Sequence, residues 1–441
     1  MKLVIIGGSA AGMAAAAKAK RVDGNASVVV FEKSKYVSYA PCGLPYYFEG
    51  LVKSIDSLVY YTKEYFREKR GIDVRTEHEV IEVGDGYVIA MDKNGKETRE
   101  EYDRLILATG GKAIKPAIDG MELQSIHTIR QLEDGEKLYK EAIKVEKIGI
   151  VGAGYIGIEM AEAFLKMGKK VAIFEMMPHV MPSMDEEMAK LVEDKMIENG
   201  VELHLNEKVV AFEGNEKVKK IVTEKDEYDV DIVLLSIGVK PNVEFAKKLQ
   251  LKLGKTGAIK TNEYMESSKA GVYAAGDNAE TKNIVTGEET YMPLAPAANK
   301  MGRVAGENAV AGNKKIFPGV VGTAITKFFD LHIGKTGLSL KEAGDDGMAV
   351  SIEHGTRSHY YPGNQKINVR LIASKSTHRI LGGQIIGKEG VVGRINTLAA
   401  AITKKMKAEE LAMLDMAYAP PFAPVWDALI VAANVIQKKL Q

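Results

Sequence analysis

One residue stands out for chemistry. Cys42 is the only cysteine in 441 residues. It lies in Ser38-Tyr39-Ala40-Pro41-Cys42-Gly43-Leu44-Pro45-Tyr46-Tyr47, a loop punctuated by Gly and Pro rather than an apolar run. A lone cysteine is usually a small, inert core side chain. This one follows a nucleotide-binding pattern at close range. The Gly and Pro after it are expected to open a helix, whose N-terminal N–H groups would favour a thiolate. With no second cysteine, an intrachain disulfide is excluded. Redox chemistry would run through a mixed disulfide, a persulfide or a sulfenic acid.

Two strand–turn–helix units must position such a thiol. The first reads as strand Lys2 to Ile6, turn Gly7-Gly8-Ser9-Ala10-Ala11-Gly12, and an Ala-rich helix from Met13 to about Arg21. A second strand, Ser27 to Phe31, ends at Glu32, followed by Lys33. This is βαβ order, with an acidic residue about 20 positions past the glycines. The glycines allow a tight turn, the helix N-terminus faces a pyrophosphate, and Glu32 would accept ribose hydroxyls. Ser9 replaces the middle glycine of the fingerprint.

The second unit is complete in order and spacing. Strand Ile148 to Val151 runs into Gly152-Ala153-Gly154-Tyr155-Ile156-Gly157, then a helix over Ile158 to Met167 and a strand from Lys170 to Phe174 that ends at Glu175. A carboxylate there suits a 2′-hydroxyl and repels a 2′-phosphate, which favours NADH over NADPH. Lys169 and Lys170 pull the other way.

The intervening sequence echoes itself. A polar helix near Lys63 to Lys69 precedes short strands near Asp73-Val74 and Glu79 to Val83, then a hairpin turning at Lys93-Asn94-Gly95. A buried strand ends at Thr109-Gly110-Gly111, and its counterpart after the second unit ends at Gly238. A third buried strand ends at Gly276-Asp277 and precedes a loop and helix carrying Ala295, Asn299 and Arg303. Two dinucleotide units in tandem suggest two nucleotides side by side, with electron transfer between them.

Composition restricts the rest. Apolar content of 46% and charge content of 27% are those of an ordinary globular protein, and length suggests two or three domains. A net charge of +1 gives no reason to expect nucleic acid or a membrane surface as partner. The single cysteine fits a reducing, cytoplasmic setting, and the N-terminus enters a strand at once, without a signal-peptide pattern. The scattered histidines lack metal-ligand spacing, so no metal site is expected.

These motifs together resemble the two-dinucleotide-domain flavoprotein disulfide reductases, over essentially the whole chain. The resemblance implies an α/β fold with two Rossmann-like domains, as in glutathione reductase, and a C-terminal α+β domain. Residues 1–112 and 240–319 would bind FAD, 113–239 would bind NAD(P)H, and 320–441 would form the dimer interface. It carries cofactor contacts onto Gly7, Gly8, Ala11, Gly12, Glu32, Lys33, Val80, Thr109, Gly110, Gly276, Asp277 and Ala295 for FAD. For the nicotinamide nucleotide the positions are Gly152, Gly154, Tyr155, Ile156, Gly157, Glu175 and Gly238.

The wider family's cysteine pair is absent. The single Cys42 looks like the branch that comprises coenzyme A disulfide reductases, NADH oxidases and peroxidases, and persulfide or polysulfide reductases. Oxidases and peroxidases usually place a His in the first glycine turn, where this chain has Ala10. The segments His359-Tyr360-Tyr361-Pro362 and Ala417-Tyr418-Ala419-Pro420 are similar to those of coenzyme A disulfide reductases. There, tyrosines of the partner subunit reach the flavin and cysteine, which puts Tyr418 and one of Tyr360 or Tyr361 in that role. The resemblance assigns Arg21, with Lys18 and Arg70, to the coenzyme A phosphates, and Ser38 and Asn299, with Arg303 nearby, to the thiol channel. It implies a homodimer that passes electrons from NAD(P)H through FAD and Cys42 to a coenzyme A disulfide, a coenzyme A persulfide or a polysulfide. Coenzyme A would be substrate or bound mixed disulfide. The alternative is an NADH oxidase that works through a Cys42 sulfenic acid.

Overall fold

The apolar runs before each glycine turn are central strands because both their faces are covered. In the computed structural model, which describes residues 1–441, Lys2–Ile6 is buried beyond its first residue and Ser27–Glu32 likewise. They pair in parallel within a five-stranded sheet. Its order is Val272–Ala274, Arg104–Leu107, Lys2–Ile6, Ser27–Glu32, Asp73–Thr76. The second unit repeats this plan. Its five-stranded parallel sheet runs Val201–Leu205, Lys170–Glu175, Lys147–Val151, Ile232–Leu235, Ile126–His127. In both, the first strand lies between its βαβ partner and the strand that returns after a three-stranded antiparallel meander. A short antiparallel ribbon, Gly111–Ala113 with Val239–Pro241, carries the chain from one unit to the other and back.

The first helix, Ala10–Val22, packs against helix Ala295–Ala311 so closely that a Cβ on Gly302 would stand 2.1 Å from the Ala11 carbonyl oxygen. This contact brings the Gly276-Asp277 strand end up to the first glycine turn. The helices start earlier than their apolar patterns suggest, at Ala10 and Tyr155 rather than Met13 and Ile158, because each turn passes directly into helical backbone.

Residues 324–387 build a five-stranded antiparallel sheet. Helices Val391–Thr403 and Ala428–Leu440 cover it, and share a core with its strands. The first of these helices ends at Thr403, Lys405 takes a left-handed φ of 56°, and a separate short helix, Ala408–Ala412, follows. No helix is long and apolar enough to cross a membrane.

Candidate active site

The two glycine turns are built alike. Gly7 and Gly152 have φ of 109° and 100°. A Cβ on Gly12 or Gly157 would lie 1.8 or 2.2 Å from the carbonyl oxygen of Gly7 or Gly152, so helix and turn approach only through glycine. Each turn is braced by the carboxylate at the end of the second strand. Gly8 N–H donates to Glu32 Oε2 (2.6 Å) and Ser34 N–H to Oε1 (2.8 Å). Ala153 N–H donates to Glu175 Oε2 (2.8 Å) and Met177 N–H to Oε1 (2.9 Å). Both carboxylates are buried, and burial holds Glu32 above the usual range while the Ser34 and Gly8 amides oppose that rise. Each oxygen keeps a lone pair for a ribose hydroxyl.

A dinucleotide fits these turns on the chain's own geometry. Gly154 has ordinary extended backbone (φ −79°, ψ −170°), and a Cβ there would meet nothing within 4 Å. Neither conformation nor packing calls for glycine, so what the missing side chain leaves is room at the helix N-terminus for a pyrophosphate. Ser9 occupies the matching place in the first turn with similar backbone (φ −93°, ψ −151°).

The other expected cofactor positions surround the turns. Lys33 is exposed beside Glu32, and Val80 is buried in the first meander. Thr109 Oγ1 donates to the Asn242 carbonyl (3.0 Å), and Asn242 Nδ2 donates back to the Thr109 carbonyl (2.8 Å). Gly110 and Gly238 take positive φ at equivalent strand ends. Tyr155 and Ile156 open the second helix, and burial raises the Tyr155 hydroxyl. Arg130 Nη2 donates to Asp277 Oδ2 (2.9 Å), and the Tyr291 hydroxyl donates to the Asp277 carbonyl (3.0 Å). Ala295 is exposed at the start of its helix. Sequence reasoning missed Arg130, whose partner lies 147 residues away and which sits in no motif.

Cys42 is exposed in a single 3-10 turn, Pro41–Gly43, that leads into helix Leu44–Phe48. Ser38 anchors its loop. At φ 50°, Ser38 donates its N–H to the Gly8 carbonyl (2.9 Å) and accepts from Tyr60 N–H (2.9 Å). The helix expected after the cysteine is therefore present, but the expected thiolate stabilisation is not. Although Cys42 reaches solvent, neighbouring atoms half-bury its sulfur and push the thiol up; its own amide opposes this only in part, and the Glu159 carboxylate pushes it further up. A helix of five residues has too few aligned peptides to reverse that balance. Glu159 was not singled out from sequence. Thr326 Oγ1 donates to its Oε1 (2.6 Å), and burial raises its carboxyl.

The tyrosines sort themselves. The Tyr360 and Tyr418 hydroxyls stand 3.5 Å apart, and Ser358 N–H donates to the Pro420 carbonyl (3.3 Å), joining the two loops. The contact with Tyr418 lowers Tyr360 and raises Tyr418. Tyr361 instead turns back, its N–H donating to the Ser358 carbonyl, so Tyr360 is the residue paired with Tyr418. Tyr360, Tyr418, Phe422, Val425 and Trp426 are all exposed.

Of the expected substrate cations, Arg21 is exposed at the end of the first helix. Lys18 is engaged by Glu307 (3.0 Å) across the pair of packed helices. Arg70 Nη2 donates to the Tyr65 hydroxyl (3.2 Å). Asn299 and Arg303 are exposed on helix Ala295–Ala311. No group of three or more His, Cys, Asp or Glu side chains is placed to hold a metal ion.

Two tandem dinucleotide units, a lone thiol beside the first and a third antiparallel domain define a pyridine-nucleotide-linked redox protein. The chain belongs to the pyridine nucleotide-disulphide oxidoreductases, whose profile matches residues 1–302, and residues 323–429 match that family's dimerisation domain. It is 47% identical over 442 aligned residues to the NAD(P)H coenzyme A polysulfide/persulfide reductase of Pyrococcus horikoshii, covering 99% of this chain and 98% of that one. It is 38% identical to the NADH oxidase of Methanocaldococcus jannaschii, covering 100% and 99%. The solved NAD-dependent persulfide reductase from A. fulgidus superposes with a TM-score of 0.96 at 40% identity, covering 100% of this chain and 83% of that chain.

The raised thiol has a measurable consequence. A thiol whose pKa is raised stays protonated to higher pH and gains reactivity only as pH climbs through the raised value. With flavin removed, alkylation of Cys42 should accelerate above the ordinary thiol range, and Glu159→Gln should shift that rise to lower pH. A profile centred well below the ordinary range would show that another group stabilises the thiolate.

Proposed function

We propose that this protein is a homodimeric, cytoplasmic flavoprotein reductase that uses Cys42 to reduce coenzyme A disulfides, coenzyme A persulfides or polysulfides at the expense of NADH. The observation that carries the reading is a unique thiol whose loop is hydrogen-bonded, through Ser38, to the glycine turn of the first dinucleotide unit. The names of the P. horikoshii and A. fulgidus relatives support it. Under this reading residues 1–112 and 240–319 hold FAD, 113–239 hold NADH, and 320–441 form the dimer interface.

FAD and NADH, when bound, supply the electron pair. Gly7, Gly8, Ala11 and Gly12 would hold the FAD pyrophosphate, with Glu32 at the ribose and Asp277 and Arg130 further along. Gly152, Gly154 and Gly157 would hold the second nucleotide, with Glu175 at its ribose. The Cys42 thiolate attacks one sulfur of the substrate S–S bond, forming Cys42–S–S–R and expelling the other half as a thiolate. Tyr418 of the partner subunit, kept protonated by its contact with Tyr360, supplies the proton that this leaving group needs. Two electrons then cleave Cys42–S–S–R, one proton is taken up by the departing RS⁻, and Cys42 returns to the thiolate. Arg21 and Arg70 meet the coenzyme A phosphates, and Ser38, Asn299 and Arg303 line the channel.

A second reading is favoured by the M. jannaschii relative named NADH oxidase. In it, one electron pair reduces oxygen to peroxide, peroxide transfers one oxygen to the Cys42 thiolate with release of water, and a second electron pair with two protons returns the sulfenic acid to thiol and a second water. Ala10 weighs against it, because no imidazole stands in the first turn to assist oxygen chemistry.

Cys42→Ser separates the steps. It should retain FAD and accept electrons from NADH at the wild-type rate, yet lose turnover with coenzyme A disulfide and persulfide by several orders of magnitude. A Ser variant that still turns over these substrates would remove sulfur from the mechanism.

Nucleotide choice rests on Glu175. Its carboxylate, held by the Ala153 and Met177 N–H groups, suits a ribose 2′-hydroxyl and repels a 2′-phosphate. Steady-state kinetics should show higher kcat/KM for NADH, and Glu175→Ala should narrow that preference about tenfold or more, the effect of one good charged hydrogen bond. A wild type that prefers NADPH would mean that Lys169, Lys170 or other cations outweigh the carboxylate.

A further inference from the structure

Beneath the cysteine lies a group of buried charges that the reaction above does not use. Cys42, Tyr46 and Glu49 recur at helical spacing along the redox segment, and Glu159, Glu162 and Lys166 recur likewise along helix Tyr155–Lys166. The two stripes meet. Lys166 Nζ lies 2.8 Å from Glu49 Oε2 and 2.6 Å from Glu162 Oε1. A third element closes the group. Lys327, on strand Ala324–Phe328 of the C-terminal sheet, pairs with the same Glu162 oxygen and lies 3.7 Å from Glu49 Oε1. Its Nζ also stands 5.6 Å from the centroid of the Tyr46 ring, one helical turn beyond the cysteine.

The next residue but one is held by the same group. Phe329 has a left-handed φ of 52°, a costly conformation for a bulky side chain. Its N–H donates to Glu162 Oε2 (2.9 Å), and Lys166 Nζ sits 5.3 Å from its ring centroid. The Glu49 and Glu162 side chains are 2% and 1% exposed, so two buried carboxylates are neutralised by two partly exposed ammonium groups. Such quartets add little net stability, because desolvation offsets attraction, but losing one partner leaves a buried charge uncompensated. Other ion pairs also cross this junction: Arg370 pairs with Asp185 (2.6 Å), and Lys195 and Lys388 both pair with Asp330. Neither of those clusters includes the redox segment. Glu49 does.

We propose that the Glu49–Lys166–Glu162–Lys327 quartet is a positioning device for Cys42. It fixes the setting of helix Leu44–Phe48 from two directions, the second dinucleotide unit and the C-terminal domain, and thereby fixes where the sulfur stands. The inference rests on the reading that Cys42 faces the flavin, since a positioned sulfur matters only against a defined partner. Lys327 and Glu49 act through Cys42 and touch neither substrate nor cofactor.

The test uses FAD-loaded Lys327→Met, Lys327→Arg and Glu49→Gln proteins. Glu49→Gln is nearly isosteric and leaves the other three charges in place, so it reports even if the Met variant folds poorly. Two readouts are compared on anaerobic titration with NADH: the rate of flavin reduction, and the long-wavelength charge-transfer absorbance between the Cys42 thiolate and flavin. Turnover with coenzyme A disulfide is the third. Lys327→Met and Glu49→Gln should reduce flavin within about twofold of wild type, lose half or more of the charge-transfer absorbance, and lose about tenfold in kcat, in line with the effect of sub-ångström to ångström misplacement. Lys327→Arg should restore most of both. Unchanged absorbance in the Met and Gln variants would overturn the proposal. So would losses that merely track lost FAD, or an Arg variant no better than Met. A wild type without any Cys42-dependent charge-transfer band would overturn the reading beneath it as well.

Discussion

The site depends on two buried carboxylates that hold two glycine turns in shape. A carboxylate taken out of water must have its charge met by hydrogen bonds, and here backbone amides meet it. Gly8 and Ser34 serve Glu32, and Ala153 and Met177 serve Glu175. Hydrogen bonds to a charged group are worth about 1.5–3 kcal/mol each, and an orphaned buried charge costs more. Each strand end is therefore committed to one turn geometry. That geometry leaves open space at the first helical turn, where a pyrophosphate gains from the helix N-terminus. The same solution occurs twice because the same strand order occurs twice, with first and second strands adjacent in both parallel sheets.

Cys42 inherits its place from both units. Ser38 ties its loop to the first turn, and Glu49 ties the following helix to the second unit and the C-terminal sheet. Burial and Glu159 favour the protonated thiol in the chain by itself. Under the proposed function, the reactive thiolate depends on what a bound flavin and the Tyr360–Tyr418 pair contribute.

Much of this was legible in the sequence, and the part that was not has a common character. Both fingerprints, both acidic strand ends and the cysteine loop were readable because local order carries them. Gly12 and Glu32 are 20 residues apart, and the intervening helix and strand announce themselves by composition. The helix after Cys42 was readable from Gly43 and Pro45, but its effect on the thiol was not. That effect is settled by burial and by Glu159, which lies 117 residues further along the chain. Arg130, Lys327 and the engagement of Lys18 by Glu307 were illegible for the same reason. Each is a single charged side chain on an unremarkable stretch whose partner is more than 100 residues away. Periodicity reports which face of an element is buried, not which charge waits opposite it. Which of Tyr360 and Tyr361 lies beside Tyr418 also needed coordinates, since a loop has no periodicity to orient adjacent residues.

The central claim is that Cys42 exchanges sulfur bonds with a coenzyme A-linked substrate. The most direct measurement is the intact mass of the purified protein before and after a thiol reductant, with Cys42→Ser as control. The account expects a wild-type adduct of coenzyme A mass that reductant removes and that the Ser protein never carries. A wild type that is unmodified, or that carries a single oxygen on Cys42, and that consumes oxygen rapidly in a Cys42-dependent manner would contradict it in favour of an oxidase.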